Sequence, residues 1–496
     1  MKLSIFRPNF PFAPAKFPIF YGWVILLASV LGVLTSIPGQ TIGISVFTDH
    51  LIEVTGLSRL QLANAYLFGT LTSGCLLPFG GKLLDRLGAR RVVVLAAIGL
   101  GLTLSYLAVC DRISLFLTHR LPFIEPILIE SIDTASQTTT VRAVSPQVAG
   151  VLLVIGFVSL RFCGQGMLTM TSRTTLGKWF DKRRGQVSGI TGIFIAAGFS
   201  IAPYVFSQAI ALLGWRGTWL SLSIIIGIGM STIGWLLFRD NPEICGLKMD
   251  GTAPEPLTVE KQKTTETNTV PTAQKIEIQT EVQTESQTES QTEIWGLTRK
   301  QAISTLAFWA VTLAFMSQAL SITGITFHIV SIGQEMGIAK ANMVKIFVPI
   351  AVVSTAVGYG IGVACDRIRI QYLFIFMMVF QAIGIAAIAN LNITGFIIPT
   401  VVGLGVSGGC FGTLSTVVLP RFFGRKHLGA IAGVQMMAIV IASALGPSLL
   451  ANSKSITGSY ISGLYICCLF APVVIVLMTI VKSDNHKNKQ RHTHST

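Results

Sequence analysis

The stretch Gly80-Gly-Lys-Leu-Leu-Asp-Arg-Leu-Gly-Ala-Arg-Arg91 lies between two apolar runs, at residues 58–79 and 92–110. Each run has about 20 residues, which is roughly what a helix needs to cross ~30 Å of hydrocarbon. The stretch must therefore be a tight connection at a membrane face. Gly81 and Gly88 permit close turns, and Asp85 can form an ion cluster with Arg86, Arg90 and Arg91. Its cations predict a cytoplasmic position, and the simplest alternative is a basic loop that only sets topology.

The composition predicts a polytopic membrane protein. Of the 496 residues, 51% are hydrophobic and 12% are charged, with a mean hydropathy of +0.66. A soluble protein has roughly twice that charged fraction. The net charge of +15 comes from cations in short loops, so it indicates membrane orientation and not a nucleic-acid partner. The eight cysteines lie mostly in apolar runs, and no disulfide framework, metal site, phosphate-binding loop or catalytic elbow is present. The chain is therefore predicted to be no enzyme and to need no cofactor.

The apolar runs predict an all-α membrane protein of twelve transmembrane helices in two pseudo-symmetric six-helix bundles. The loop at 111–146 is expected to be external, and it could hold a short interfacial helix. A polar segment with a repeated Thr-Glu-x-Gln motif at Thr280–Glu293 predicts a disordered linker. The predicted parts are a cytoplasmic N-terminal tail (1–18), a first bundle (19–239), a cytoplasmic linker (240–300), a second bundle (301–481) and a cytoplasmic C-terminal tail (482–496).

Two sequence echoes indicate that the halves are duplicated. Gly362-Val-Ala-Cys-Asp366-Arg367 follows predicted helix 8, as Gly81-x-x-x-Asp85-Arg86 follows helix 2. An aromatic pair, a basic cluster and Gly-x-x-x-Gly follow helix 4, and the same order recurs after helix 10. Such internal symmetry is typical of transporters built from repeats.

Polar side chains within the predicted helices are the candidates for a substrate site, because such groups are costly in hydrocarbon. Arg161, Gln165, Thr169 and Arg173 follow one another at four-residue steps, which places them near one face of helix 4. Arg161 either binds an anionic substrate or bonds polar groups of a neighbouring helix. Arg173 lies nearer the cytoplasm, where a loop ion pair with Asp85 is expected.

The remaining candidates are amides and one histidine. Gln40 and Gln318, like Asn64 and Gln435, must face the bundle interior, either toward substrate or toward another helix. His328 either couples proton movement to transport or forms an interfacial hydrogen bond. No aspartate or glutamate lies clearly within a predicted span, which argues against a carboxylate proton relay.

The loop motif and the duplicated halves are similar to the major facilitator superfamily over nearly the whole chain. More closely, several strings resemble its monocarboxylate and oxalate:formate transporter branch: Tyr21-Gly-Trp23, Val46-Phe47 with Ser58-Arg59, Arg161-Phe-Cys-Gly-Gln-Gly166, Lys178-Trp-Phe-Asp-Lys-Arg-Arg-Gly185, Gly214-Trp-Arg216 and Asp240-Asn-Pro-Glu243. The resemblance implies a central cavity between two rocking bundles. It also implies a gating role for the loop residues: Gly81, Asp85, Arg86, Gly88, Arg90, Arg91, Arg173, Asp366 and Arg367.

The expected function is secondary transport of a small organic solute. The substrate class that we favour is an organic anion such as a monocarboxylate or dicarboxylate. Members of the branch that bind carboxylates usually place a cation in helix 8 or helix 11, or an Asp/Arg pair in helix 8. This chain has no charge between Lys345 and Asp366 in helix 8, and none after His427 in the predicted helix 11 (His427–Leu450). Proton symport, exchange and uniport all stay open. The protein is expected to be a monomer in the plasma (cell inner) membrane with both termini cytoplasmic. The alternatives are efflux of hydrophobic compounds, a passive channel, and a non-transporting sensor or scaffold.

Overall fold

The computed structural model describes residues 6–120, 127–133, 138–251, 294–392 and 395–481. Ten helices in these residues are long and apolar enough to cross a membrane. One of them, Arg184–Leu237, has 54 residues, and at ~1.5 Å per residue it would be far longer than a bilayer is thick. The helix Gly22–Leu34 is shorter, and short helical turns continue it to Phe47.

The long helix Arg184–Leu237 is two crossings joined at Gly214. Gly214 has φ +68°, a left-handed conformation that favours glycine and breaks the helical path. Phe206 and Trp219 lie on either side of it, and the rings of both pack on Phe47, with centroids 6.3 and 4.8 Å away. The chain therefore folds back at Gly214, and the described residues form twelve crossings. The predicted membrane domain of twelve helical spans is confirmed.

We number the crossings α1 to α12. The N-terminal half comprises α1 (Gly22–Leu34), α2 (Arg59–Leu87), α3 (Ala89–Arg120), α4 (Pro146–Trp179), α5 (184–213) and α6 (215–237). The C-terminal half comprises α7 (Leu306–Glu335), α8 (Phe347–Cys365), α9 (Ile370–Ile388), α10 (Ile397–Phe423), α11 (Leu428–Thr457) and α12 (Ile461–Ile480). Within α4, residues Phe162–Leu168 form a π-helical segment.

Local sequence accounts for where several of these helices begin and end. Ser58 accepts a hydrogen bond from the backbone N–H of Gln61, whose side chain accepts one from Ser58 in return, so this capping box starts α2. Gly88, with φ +81°, ends α2, and α3 begins at the next residue. Most of the motif quoted above is thus the last turns of α2 and not a loop.

The region after predicted helix 3 differs from the expectation. The helix was predicted to end at Cys110, but α3 continues to Arg120. The predicted external loop contains no interfacial helix in its described part; it contains an antiparallel hairpin of strands β1 (Ile127–Asp133) and β2 (Thr138–Val144).

The longer α3 also corrects the expectation that no carboxylate lies within a span. Asp111 is fully buried on this helix and forms an ion pair with Arg216, just after the turn at Gly214. The pairing explains how a helix can carry this charge inside the bundle.

The predicted linker also differs from the expectation in its described ends, because both fold against the bundle. After α6, Asp250 accepts hydrogen bonds from the backbone N–H groups of Asp181, Lys182 and Arg183. Before α7, the carbonyl of Trp295 accepts one from the N–H of Arg425, which follows α10. The repeat at 280–293, residues 1–5 of the N-terminal tail and the whole C-terminal tail (482–496) lie outside the described residues.

Candidate functional site

The two halves meet closely at the end of the bundle that carries Asp85 and Asp366, which we call the closed end. On one side, the carboxylate of Asp85 at the end of α2 accepts hydrogen bonds from the backbone N–H groups of Gly429 (2.9 Å) and Ala430 (2.7 Å). These N–H groups belong to the first turn of α11, where helix donors are free and the helix dipole favours a negative charge. Asp85 therefore joins the N-terminal half to the C-terminal half.

The same arrangement recurs with the halves exchanged. Asp366, directly after α8, accepts hydrogen bonds from the backbone N–H groups of Gly185 (3.1 Å) and Gln186 (3.3 Å) in the first turn of α5. At both places, a carboxylate at the C-terminal end of one helix, α2 or α8, thus binds the N-terminus of a helix in the other half. The sequence echo between the two motifs corresponds to this repeated contact.

Glycine is required where these helices approach each other. A Cβ atom on Gly185 would lie closer than 3.0 Å to the carbonyl oxygen of Gly362, and one on Gly81 would lie equally close to that of Gly429. Real Cβ atoms essentially never come so near, so any side chain there would push the two halves apart.

The arginines of the motif do not form the ion cluster predicted around Asp85. Arg90 is buried, and its guanidinium donates to three backbone carbonyls, those of Trp235, Arg7 and Phe10. Arg86 and Arg367 are exposed. Asp85 is satisfied instead by the backbone of α11, because that helix N-terminus offers it free donors at close range.

Arg173 also has a different partner from the one predicted. Its Nη1 donates to the hydroxyl of Ser415 on α10 (2.9 Å), across the boundary between the halves, and not to Asp85. Successive four-residue steps along a 3.6-residue helix rotate by roughly 40° each, so Arg161 and Arg173 face different neighbours. The prediction of one shared face was therefore too simple.

A chamber of about 50 Å³ lies between the halves just inside the closed end. Helices α4, α10 and α11 form its walls, and Arg173, Ser415 and Gln435 are among its polar groups. The side-chain nitrogen of Gln435 is buried and donates no hydrogen bond. The space would hold a few water molecules or one carboxylate group, so a whole solute could enter only if the halves moved apart.

Arg161 lies in a second polar cluster, inside the N-terminal half. It is 2% exposed, its Nη1 lies 3.5 Å from the carbonyl oxygen of Gly39 and 3.4 Å from the hydroxyl of Thr41, and it stands over the ring of Tyr66. Its Nε and the side-chain oxygen of Gln165 are buried without hydrogen-bond partners. Among the described residues, neither Arg161 nor Arg173 forms an ion pair with a carboxylate.

The other predicted site residues are distributed between the halves. Gln40 donates to Ser36 (3.2 Å) and Thr169 (3.4 Å), so it belongs to the polar region near Arg161. Gln318 donates to Ser407 (3.4 Å) within the C-terminal half. His328 lies farther along α7, where its Nε2 is 3.0 Å from the carbonyl oxygen of Pro447.

Sequence reasoning missed several polar contacts. Gln381 of α9 is buried and donates to Ser317 and Ser321, although its amide lies in an apolar run as the predicted ones do. Arg425 donates to the carbonyl of Lys178 and to the carboxylate of Glu243, both in the N-terminal part of the chain (2.8 Å each). Nothing in the sequence signals this further contact between the halves.

The chain is similar to known proteins in sequence profile and in fold. The profile described as Major Facilitator Superfamily matches residues 24–447. No curated protein is a significant match. The proton:xylose symporter XylE bound to 6-bromo-6-deoxy-D-glucose has a TM-score of 0.58 at 16% identity, over 92% of this chain and 95% of its own.

Two further structures show the same likeness. The human organic anion transporter MFSD10 (TETRAN) has a TM-score of 0.58 at 12% identity, over 93% of this chain and 100% of its own. A bacterial homologue of the iron transporter ferroportin, in an outward-facing state, has a TM-score of 0.60 at 13% identity, over 92% of this chain and 98% of its own. Identities this low bear on the fold and not on the substrate.

Proposed function

We propose that this chain, which belongs to the Major Facilitator Superfamily and is a transporter and not an enzyme, carries a small organic anion by alternating access. The observation that carries the proposal is the state of the two guanidiniums on α4. Arg161 is buried and Arg173 is half-buried among helices of the bundle, and neither has a carboxylate partner among the described residues. An enclosed cation without a counter-ion is costly, and an anionic substrate would offset that cost.

The two arginines have different positions relative to the chamber. Arg173 faces the chamber together with Ser415 and Gln435 of the other half. Arg161 precedes Arg173 by twelve residues, which is about 18 Å along the helix at ~1.5 Å per residue. A single small anion cannot touch both at once, so Arg161 is an entry site and Arg173 a site near the closed end. A monocarboxylate or dicarboxylate fits the bidentate geometry of either guanidinium.

Anion exchange is the coupling mode that this arrangement favours. Each rocking motion of an empty carrier would enclose the guanidiniums without a counter-ion, whereas a bound anion on each passage offsets that cost. Proton symport through His328 is the alternative. A counterflow experiment distinguishes exchange from proton symport. Under the exchange mechanism, uptake requires anion inside the vesicles and does not require a pH gradient.

The closed end is proposed to face the cytoplasm. Its helix ends carry most of the short-loop cations, among them Arg86, Arg91 and Lys182, and such loops stay inside. The first described residues of the chain contact Arg90 and Arg239 at this same end. The cell membrane as location, cytoplasmic termini and a monomeric state belong to this proposal.

Uptake into proteoliposomes, measured over a panel of labelled mono- and dicarboxylates with and without internal anion, tests the function. Arg161→Ala should abolish uptake while the protein still inserts, and Arg161→Lys should retain part of it. Arg59→Ala is the matched control, because Arg59 has a 76% exposed side chain and pairs only with exposed Asp49. Normal transport by Arg161→Ala would rule out the entry site.

Efflux of hydrophobic compounds is a second candidate, and the chamber wall favours it. Met170, Leu419, Met436 and Ile439 line the chamber beside its few polar groups, and flexible methionines accommodate varied apolar solutes. Drug sensitivity of cells that lack the protein, without any anion uptake in proteoliposomes, would support this function. A sensor or scaffold would lose its function when residues 280–293 are deleted, whereas a transporter should tolerate the deletion.

A further inference from the structure

A second cavity, of about 220 Å³, lies at the closed end but outside the chamber. It is many times larger than the space that one water needs. Four arginines and two aspartates line it, and they come from α2, α3 and the segment after α6: Arg86, Arg90, Arg91, Arg239, Asp85 and Asp240. We call it the basic cavity.

Two of the four arginines are committed to the N-terminal segment. Arg90 donates to the carbonyls of Arg7 (3.0 Å) and Phe10 (2.8 Å). Arg239 donates to the carbonyls of Pro8 (2.7 Å) and Phe10 (3.2 Å). Residues 7–10 therefore lie across the cavity. Because carbonyl groups are neutral, these hydrogen bonds do not neutralise the positive charge of Arg90 and Arg239.

Both aspartates are also committed elsewhere. Asp85 accepts from the first turn of α11, as described above. Asp240 accepts from the N–H of Ala89 and from the ammonium of Lys178, both at 3.0 Å. Burial raises the pKa of the nearby Cys245 thiol to about 11, so that group stays neutral and adds no negative charge.

Arg86 and Arg91 remain without a counter-ion. Among the described residues neither forms an ion pair, and the recorded contact of Arg91 is with the ring of Phe6, 5.4 Å from its guanidinium carbon. The guanidinium groups of Arg86 and Arg91 thus line a cavity whose acidic groups bind other partners.

We propose that the basic cavity binds a phosphate group between Arg86 and Arg91. Arginine forks match phosphate oxygens bidentately, and each such bond is charge-assisted. A soluble phosphate and the headgroup of an anionic phospholipid share this chemistry. The cavity can be reached from both, because it lies at the helix ends and one of its lining residues, Ile244, is an exposed apolar side chain.

Arg86 of this site follows directly on Asp85, which contacts α11. Binding of phosphate there is therefore expected to be coupled to that contact at the closed end. It is distinct from the anion path along α4 and does not depend on transport. Binding can therefore be tested on the purified full-length protein in neutral detergent, where failure of the transport proposal has no effect on the result.

The experiment measures two ligands on the same protein. Radiolabelled orthophosphate binding is followed at constant ionic strength, and retention of phosphatidylglycerol against phosphatidylcholine is followed by native mass spectrometry. The variant Arg86→Gln/Arg91→Gln removes both forks. Arg112→Gln/Arg120→Gln is the matched control, because it removes two exposed arginines from the far end of α3 and changes the net charge equally.

We expect the Arg86→Gln/Arg91→Gln variant to bind at least tenfold more weakly and the control variant to bind normally. Arg86→Lys/Arg91→Lys should be intermediate, since it keeps the charge and loses the fork. Loss confined to phosphatidylglycerol identifies a lipid headgroup as the source, and loss confined to orthophosphate identifies a soluble one. Equal binding of both ligands by the wild type and the Arg86→Gln/Arg91→Gln variant, or binding of neither ligand by the wild type, overturns the proposal.

Discussion

Substitution of Gly185 by alanine should weaken the closed end more than any other single methyl group added to α5. The new Cβ would lie closer than 3.0 Å to the carbonyl oxygen of Gly362 and to the carboxylate of Asp366. The first is backbone and cannot rotate away. The halves must therefore separate locally, and the two N–H bonds to Asp366 lengthen with them.

The size of the effect follows from the packing. Adding a methyl group to a fully packed contact costs about 1–3 kcal/mol. A cost of about 2 kcal/mol changes an equilibrium constant about 30-fold, since ~1.4 kcal/mol corresponds to tenfold. The open form of this end should gain that factor in population relative to the wild type.

Cysteine labelling measures the opening. Met436 lines the chamber, so Met436→Cys in a background without the eight native cysteines reports access to it. An impermeant thiol reagent is applied to inside-out vesicles, which expose the proposed cytoplasmic end. The labelling rate should rise about 30-fold in Gly185→Ala.

Gly192→Ala is the matched control. Gly192 lies on the same helix, and a Cβ there would meet nothing within 4 Å. Both substitutions favour the helical backbone, so only the contact with α8 differs between them. Equal labelling rates for the two variants at equal yield would refute the reasoning that glycine contacts hold this end closed.

Three further predictions concern the carboxylates of Asp85, Glu243 and Asp111. Asp85→Asn should raise the labelling rate of the closed end about 5- to 150-fold, since the amide side chain cannot accept from both N–H groups of α11 and an unpaired buried donor costs about 1–3 kcal/mol. Asp181→Asn is the control at the same end: its carboxylate is 57% exposed, so its pair with Arg184 adds little and the rate should stay nearly unchanged. Glu243→Gln should raise the labelling rate only a few-fold, because the pair that Glu243 forms with Arg425 is partly exposed and contributes at most about 1 kcal/mol. An increase as large as that of Asp85→Asn would contradict this ranking. Asp111→Asn should lower the free energy of unfolding in detergent by about 3 kcal/mol, because it leaves Arg216 without its buried partner. Asp49→Asn, at an exposed pair, should change it by less than about 1 kcal/mol. Similar unfolding temperatures for the two variants would show that the buried pair is dispensable.

Several features of the fold were predictable because they depend only on the local amino-acid sequence. An apolar run of sufficient length must form a helix in a membrane, so the spans could be counted from hydropathy. The echo between the segments that end at Asp85 and Asp366 correctly indicated a repeated element. The end of predicted helix 3 was wrong because Asp111 interrupts the apolar pattern, and only its buried partner Arg216 explains why the helix continues.

The partners of the polar side chains were not predictable in the same way. Asp85 was assigned to nearby arginines, and Arg173 to Asp85, because sequence reasoning pairs charges that are close along the chain. In the structure their partners are Gly429 and Ser415, which lie more than 200 residues away.

The sequence by itself determined that this protein is a helical bundle in lipid, because the hydrophobic effect acts on each span separately and needs no knowledge of the others. Only the tertiary structure decided which groups face each other across the two halves, because that depends on how helices far apart in sequence are placed side by side. The chamber, the closed end and the basic cavity all arise from that placement.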